Sequence, residues 1–436
     1  MQWAEVEVNE NGNLVFGGCD VVELTKQYGT PIYIINESIV RKVCKGFKET
    51  LDKSGFDGKI YYATKAFTNV AMCKIVSSEG LGVDVSSKGE LFTALSAKVD
   101  PKDIILHGNN KLYDELELAI DSKIGRIAID GFEEIELIDA IAKEKGAKVD
   151  VVLRLKPGID SHTHKAIQTA QIDSKFGLGI TDGQAMKAVK RILKSENINL
   201  CGIHCHIGSQ ILEVEPYKLA AKMMTDFLID IKNETGVTLN EINFGGGYGV
   251  HYTENDTPLT PAEYMSKLID AVKNECEKKG IDIPFICIEP GRSIIAEAGI
   301  TAYTVGSIKD IEGVRKYASV NGGMTDNPRL ALYDAKYTAI IANKADEPAC
   351  EIVSVAGRCC ESGDMLIWDA PLQQTEVGDI LVVLTTGAYN YSMASNYNRV
   401  PVPAVILVNN GKSEIMVKRQ TTEDLLRNDA VPSWLK

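Results

Sequence analysis

The sequence predicts an α/β fold: a (β/α)8 TIM-like barrel plus a C-terminal β-rich domain that also includes the N-terminal strands. Three features predict it. From about residue 57 to 292 a short apolar run followed by an amphipathic helical period recurs eight times, and eight parallel strands are the number that closes a barrel. After Arg292 the helical periodicity fades and β-rich runs follow one another. The segment before residue 37 carries similar short strand-like runs, so both termini are assigned to one domain. A doubly wound open sheet is the alternative for the alternating region.

In chain order, AEVEV, NLVFG and PIYIIN read as strands of the terminal domain. The barrel strands are expected near 60–65 (IYYATK), 82–86 (GVDVS), 104–107 (IILH) and 126–130 (RIAID). Four more are expected near 149–155 (VDVVLRL), 200–206 (LCGIHCH), 241–245 (EINFG) and 285–289 (FICIE). Helical periods fall between them, as at Tyr113–Ser122, Phe132–Lys145 and Pro261–Lys279. ITAYTVGSI, YTAIIANK, CEIVSVAG, DILVVLTT and PAVILV then supply strands of the second domain. The boundaries that follow are 37–292 for the barrel, and 1–36 with 293–436 for the β-rich domain.

The bulk properties exclude several classes of function. The chain has 436 residues, 44% of them hydrophobic, enough for two domains with sizeable cores. A formal net charge of −13 argues against nucleic acid or an anionic membrane as a partner. No apolar run reaches transmembrane length, and MQWAEVEVNENGN has neither the basic nor the apolar region of a signal peptide. A cytoplasmic protein is expected. Ten scattered cysteines are then reduced thiols by default. Adjacent Cys359 and Cys360 are poorly placed to bridge each other, and no CxxC pair points to structural zinc.

Active sites of such barrels sit at the C-terminal ends of the strands. This chain places Lys65, Asp84, His107, Asp130, Arg154, His206, a glycine cluster and Glu289 there. Any one of them alone could be an ordinary loop residue; a ring of them at successive strand ends is harder to dismiss. A strand-end lysine is ordinarily solvated, yet a barrel mouth with cationic neighbours can favour the neutral amine that covalent catalysis needs. Gly245, Gly246 and Gly247 lack a GxGxxG spacing, so they form either a plain tight turn or a cradle whose N–H groups approach a phosphate. Ser209 could add a hydrogen bond to that phosphate. His204 and His206 lie two apart without a third ligand at familiar spacing, so one packed on a flat cofactor ring explains them as well as a metal does. Glu289, in GluProGlyArg, is either a capping carboxylate or a group that keeps a pyridine nitrogen protonated, which makes the ring an electron sink.

Nine motifs in order, YYATKAFTN, GVDVSSKGEL, SKFGLG, HCHIGSQ, NFGGGYG, EPGRSI, MTDNPRLALY, CESGD and GAYN, run from residue 61 to 390. Together they resemble the fold-type III pyridoxal-phosphate enzymes, a family of amino-acid decarboxylases and alanine racemases. The resemblance implies pyridoxal 5′-phosphate as cofactor and no metal. It implies that Lys65 carries the cofactor, that His206 stacks on its ring, and that Glu289 faces the pyridine nitrogen. Ser209, Gly246, Gly247 and Tyr389 would contact the phosphate, with Gly291 and Arg292 close by. Glutamate at position 289 marks decarboxylases, whereas the racemases carry arginine there. For substrate, Arg292 and Arg329 with Tyr333 resemble the grip on a distal carboxylate, with Tyr389 nearby and Glu361 meeting the distal ammonium. Cys360 would be the proton donor at the reacting carbon. The CysGlu loop comes from the partner subunit in this family, which implies a homodimer with shared active sites. The branch implied turns meso-2,6-diaminopimelate into L-lysine and CO2, the last step of lysine biosynthesis. The alternative is a sister fold-type III decarboxylase acting on another amino acid or a carboxylated polyamine. The chain departs from the family at Asn321-Gly322-Gly323, where AspGlyGly is commoner, at Thr169-Ala170-Gln171, and in the extra Cys359 before Cys360.

Overall fold

The computed structural model describes residues 4–158 and 174–435. Eight parallel strands close into a barrel: β1 (Gly58–Ala63), β2 (Gly82–Val85), β3 (Ile104–Leu106), β4 (Arg126–Ile129), β5 (Val149–Lys156), β6 (Ile198–Cys205), β7 (Glu241–Asn243) and β8 (Phe285–Ile288). Closure is a ladder between the last strand and the first, Ile286 opposite Gly58 and Ile288 opposite Ile60. The fold class is therefore the expected barrel, and the open-sheet alternative falls because an open sheet has no such ladder.

Most strands end a residue or two earlier than their apolar runs suggest. Lys65 lies in a 3-10 turn, Thr64–Ala66, beyond β1, and His206 follows the end of β6. The helices Phe132–Lys145 and Pro261–Lys279 have the expected bounds. The second starts sharply because Thr260 Oγ1 accepts the Glu263 N–H while Pro261 takes a position that needs no donor. It stops at Gly280, whose φ of 62° suits a residue without Cβ.

The barrel is filled by side chains from alternating sides. Tyr61, Ile105, Ala128, Val152 and Cys287, from five different strands, form one buried cluster. Each large apolar side chain so buried contributes roughly 1.5–3 kcal/mol. At the opposite end from the mouth, Arg126 grips buried Glu241 through Nε and Nη2 at 3.1 and 2.9 Å, so that carboxylate is not left unpaired.

The second compact unit comprises Met1–Val40, His251–Asp256 and Ile295–Lys436, and the barrel unit comprises Arg41–Val250 and Thr257–Ile294. In the second unit the N-terminal strand Ile32–Asn36 lies between Gly299–Ile311, antiparallel, and Ala404–Asn409, parallel. It is wholly buried, so both termini complete one sheet. The three strand-like runs before residue 37 contain the strands Glu7–Val8, Leu14–Phe16 and Ile32–Asn36, and a helix lies between the last two. Val21–Tyr28 is a helix because Asp20 accepts the Val22 and Glu23 N–H groups at 2.8 and 3.2 Å, and Val21, Leu24 and Thr25 form its buried stripe.

Candidate active site

The C-terminal ends of the barrel strands open into a cavity of about 670 Å³, lined by Lys65, Asp84, His107, Arg154, His204, His206 and Glu289 among others. The strand-end residues expected from the sequence thus share one space, except the glycine cluster, which is not part of its lining, and Asp130, which stands behind it. Asp130 accepts the Gly177 N–H at 3.1 Å and lies 3.6 Å from Arg154, whose guanidinium covers the Phe176 ring at 4.4 Å. Lys111 braces this wall from within. Its Nζ donates to Glu134, Ala128 O and Gly108 O at 2.5, 2.6 and 2.8 Å, and burial lowers its pKa despite the Glu134 charge.

Glu289 is the electrostatic centre. It follows β8 directly and is 6% exposed. Burial alone would raise its pKa, but the electrostatic pull and the hydrogen bonds of His107 and His204 overcome that and hold it well below the carboxylate range. His107 Nε2 and Asn243 Nδ2 each lie 2.7 Å from Oε1, and His204 Nε2 lies 3.0 Å from Oε2. His204 is pushed down to about 4, chiefly by burial, and its Nδ1 has no partner among the described residues. A neutral ring donating from Nε2 is the form that satisfies this geometry. Three of the roughly four lone-pair directions of Glu289 are then used, leaving room for one more N–H donor.

His107, His204 and Glu289 also have the ligand types of a metal site, and the sequence alone did not bring them together. Their spacing favours hydrogen bonding instead. Two ligands on one tetrahedral zinc lie about 3.4 Å apart, given bonds near 2.1 Å, against 2.7 Å between His107 and Glu289.

Lys65 lines the cavity, and its ammonium makes no hydrogen bond or ion pair among the described residues. His206 is held well below its ordinary range by burial and then by the Lys65 and Arg154 cations. Its Nδ1 accepts the Gly246 N–H at 3.2 Å, which fixes the ring plane. A Cβ on Gly246 would stand 2.2 Å from Glu289 O, and one on Gly247 2.4 Å from Gly208 O, so only glycine permits this close approach of loops. Arg292 Nη2 donates to Ser209 Oγ at 2.9 Å, placing a cation beside that turn, and Gly291 packs against Ala63. Pyridoxal 5′-phosphate fits this set: an amine with no partner among the described residues, an ionised carboxylate with one acceptor direction open, and a glycine-rich turn with a guanidinium beside it.

The remaining predicted residues lie in the second unit. Arg329 begins the short helix Arg329–Tyr333, is 7% exposed, and donates from Nη1 to the hydroxyls of Tyr252 and Tyr337. Tyr333, four residues on in the same helix, is exposed. Tyr389 has φ 63°, a costly conformation for a non-glycine residue, and its ring lies 5.8 Å from the Arg329 guanidinium carbon. Cys360 and Glu361 are exposed on a turn tied down by Asp364, which accepts the Cys359 and Met324 N–H groups at 2.6 Å each. Burial and Asp364 raise the extra thiol, Cys359, to about 11, so it is held as an unreactive thiol. The Thr169-Ala170-Gln171 departure lies outside the described residues. Sequence reasoning missed Asn243, Lys111, Tyr252 and Tyr337. Asn243 stands inside NFGGGYG and was within reach; Lys111 and the tyrosines belong to no pattern that names a chemistry.

Residues 37–296 match the family described as pyridoxal-dependent decarboxylase, pyridoxal binding domain. The chain is 48% identical over 421 residues to the diaminopimelate decarboxylase of Bacillus subtilis, covering 97% of this chain and 96% of that one. It is 44% identical over 425 residues to the enzyme of the same name from Staphylococcus aureus, covering 97% and 99%. Among solved structures, diaminopimelate decarboxylase of M. jannaschii in complex with L-lysine superposes with a TM-score of 0.93, at 33% identity and 99% coverage of both chains.

Proposed function

Since this chain belongs to the pyridoxal-dependent decarboxylases, in the diaminopimelate decarboxylase family, we propose that it releases CO2 from meso-2,6-diaminopimelate to leave L-lysine, the last step of lysine biosynthesis. The observation that carries the decarboxylase reading is the buried, ionised Glu289 at a cavity lined by Lys65. When bound, pyridoxal phosphate supplies a protonated ring that accepts the electron pair left as the carboxylate departs. Lys65 is the amine that holds it. Glu289 keeps a proton at the ring nitrogen, and the network behind it keeps Glu289 anionic. His206 packs on the ring; Ser209, Gly246, Gly247, Gly291, Arg292 and Tyr389 hold the phosphate. Arg292, Arg329, Tyr333, Tyr389 and Glu361 fix the far end of the substrate, and Cys360 delivers a proton to the reacting carbon.

The assay is CO2 release from meso- and LL-diaminopimelate, lysine and ornithine. The meso compound is expected to react, at its D centre, several orders of magnitude better than lysine or ornithine, which leave the buried Arg329 guanidinium without a carboxylate. Equal turnover of ornithine or lysine transfers the chain to a sister decarboxylase. Arg329→Leu is expected to raise KM and lower kcat/KM by about 100-fold, the scale of a lost charge-assisted bidentate contact. Arg329→Lys recovers only part, because an ammonium lacks the planar fork.

The working form proposed is a cytoplasmic homodimer, the barrel unit holding the cofactor and the β-rich unit giving substrate and dimer contacts. Exposed Cys360 and Glu361 suit a loop that serves a second copy's site. No helix among the described residues is long and apolar enough to cross a membrane. Lys65→Ala and Cys360→Ala chains, each nearly inactive, are expected to regain about a quarter of wild-type activity after random exchange of equal amounts. Half the dimers are then mixed, and each mixed dimer has one intact site of two. Demonstrated exchange without recovery places Cys360 outside its partner's site.

A further inference from the structure

Arg329 is a buried cation with no carboxylate paired to it among the described residues. Leaving a guanidinium in such a place is unfavourable unless an anion arrives. Two phenol oxygens hold it instead, Tyr252 Oη at 2.7 Å and Tyr337 Oη at 3.3 Å, and both engage the same nitrogen, Nη1. The edge formed by Nε and Nη2, which a carboxylate grips through two parallel bonds, makes no hydrogen bond among the described residues. A phenol accepts a hydrogen bond without neutralising the charge, so the site is oriented while its positive potential is kept.

The two phenols are themselves fixed. Their rings meet edge to face, centroids 5.3 Å apart at 89°. Thr338 Oγ1 donates to Tyr252 O at 2.9 Å, and Asn390 Nδ2 reaches Tyr337 Oη at 3.4 Å. Next to Tyr252, the His251 N–H donates to Glu297 Oε1 at 2.7 Å, with the imidazole Nδ1 2.9 Å from the same oxygen, pinning the segment that brings the tyrosine in.

We infer that Tyr252 and Tyr337 are positioning residues for Arg329, and that by aiming its free edge they set the preference for an amino acid with a carboxylate remote from the reacting carbon. The inference rests on the function proposed above and adds two residues to its specificity.

The test uses full-length holoprotein carrying Tyr252→Phe or Tyr337→Phe, each of which removes one oxygen and keeps the ring. KM and kcat are measured with meso-diaminopimelate, and calorimetry follows binding of L-lysine and of cadaverine, the same carbon chain without a carboxylate. Each variant is expected to raise KM and weaken L-lysine about tenfold, as for loss of a hydrogen bond to a charged group. The value of kcat and the affinity for cadaverine stay within about twofold, which general damage to the pocket would not allow. Unchanged L-lysine affinity in both variants, or cadaverine weakened as much as L-lysine, overturns the inference. A wild type that releases no CO2 from meso-diaminopimelate overturns the underlying function instead, so the two failures are told apart.

Discussion

Lys65→Ala is expected to abolish CO2 release from meso-diaminopimelate, by on the order of a million-fold, the scale reached when a covalent nucleophile is deleted. The fold should barely notice. Thr64 and Ala66 on either side are buried, and Thr64 Oγ1 donates to Asp84 O at 2.7 Å, so the turn is held by its neighbours. The Lys65 side chain itself stands in the cavity and bonds to nothing among the described residues. Its removal therefore belongs with surface changes that shift stability by about 0.5 kcal/mol or less. Loss of activity without loss of melting temperature is the expected pair of results. Borohydride reduction of the wild type followed by peptide mapping should find the reduced cofactor on Lys65, and its discovery on another lysine would end the assignment.

The barrel and its mouth were legible because periodicity and chemistry coincide there. Strands buried on both faces read as apolar runs, and each run ends in a polar residue that has no reason to be there unless it faces a site. What the runs do not show is depth. Asp84 and His204 lie within strands, and Asp130 supports Arg154 from outside the cavity. Linear order cannot separate a residue that faces the cavity from one that buttresses the residue facing it.

The β-rich unit was less legible, for three local reasons. Arg315–Val320 opens with Arg and Lys, and Met365–Leu372 contains Asp369 and Pro371, so neither resembles an apolar strand. Arg315 instead lies over the Trp368 ring at 5.0 Å, a contact across the intervening strand Glu351–Ala356 that no periodicity reveals. Lys412–Val417 has no buried residue, so no apolar alternation marks it; it is joined to its partner through Asn410 and Gly411, both at positive φ, the pair that a tight two-residue turn prefers. Tyr252 illustrates the remaining limit. It lies three residues after Gly249, but it acts in the β-rich unit, and only the fold brings it to Arg329.

Glu289→Gln and Glu289→Ala are expected to separate the electrostatic role of this residue from its structural one. Gln keeps one acceptor oxygen for His107 and Asn243 but carries no charge, so it cannot hold a proton at a pyridine nitrogen. Ala removes every acceptor and leaves three buried donors, on His107, His204 and Asn243, without a partner. Each orphaned donor costs about 1–3 kcal/mol, so Ala should lower the melting temperature markedly where Gln lowers it little. Both should lose activity, since an unprotonated ring is the weaker electron sink. A loss of about 10²–10³-fold in kcat is expected for Gln, the scale of one preorganised electrostatic contact at a reacting centre. Cofactor should remain bound in the Gln variant, because Lys65, Ser209, Arg292 and the glycine turn are untouched. The measurement is therefore kcat at verified cofactor occupancy, beside the melting temperature of each variant. Near-wild-type turnover by a fully loaded Gln variant would leave the ionised carboxylate without its proposed task, and Glu289 would then be a structural anchor for two histidines.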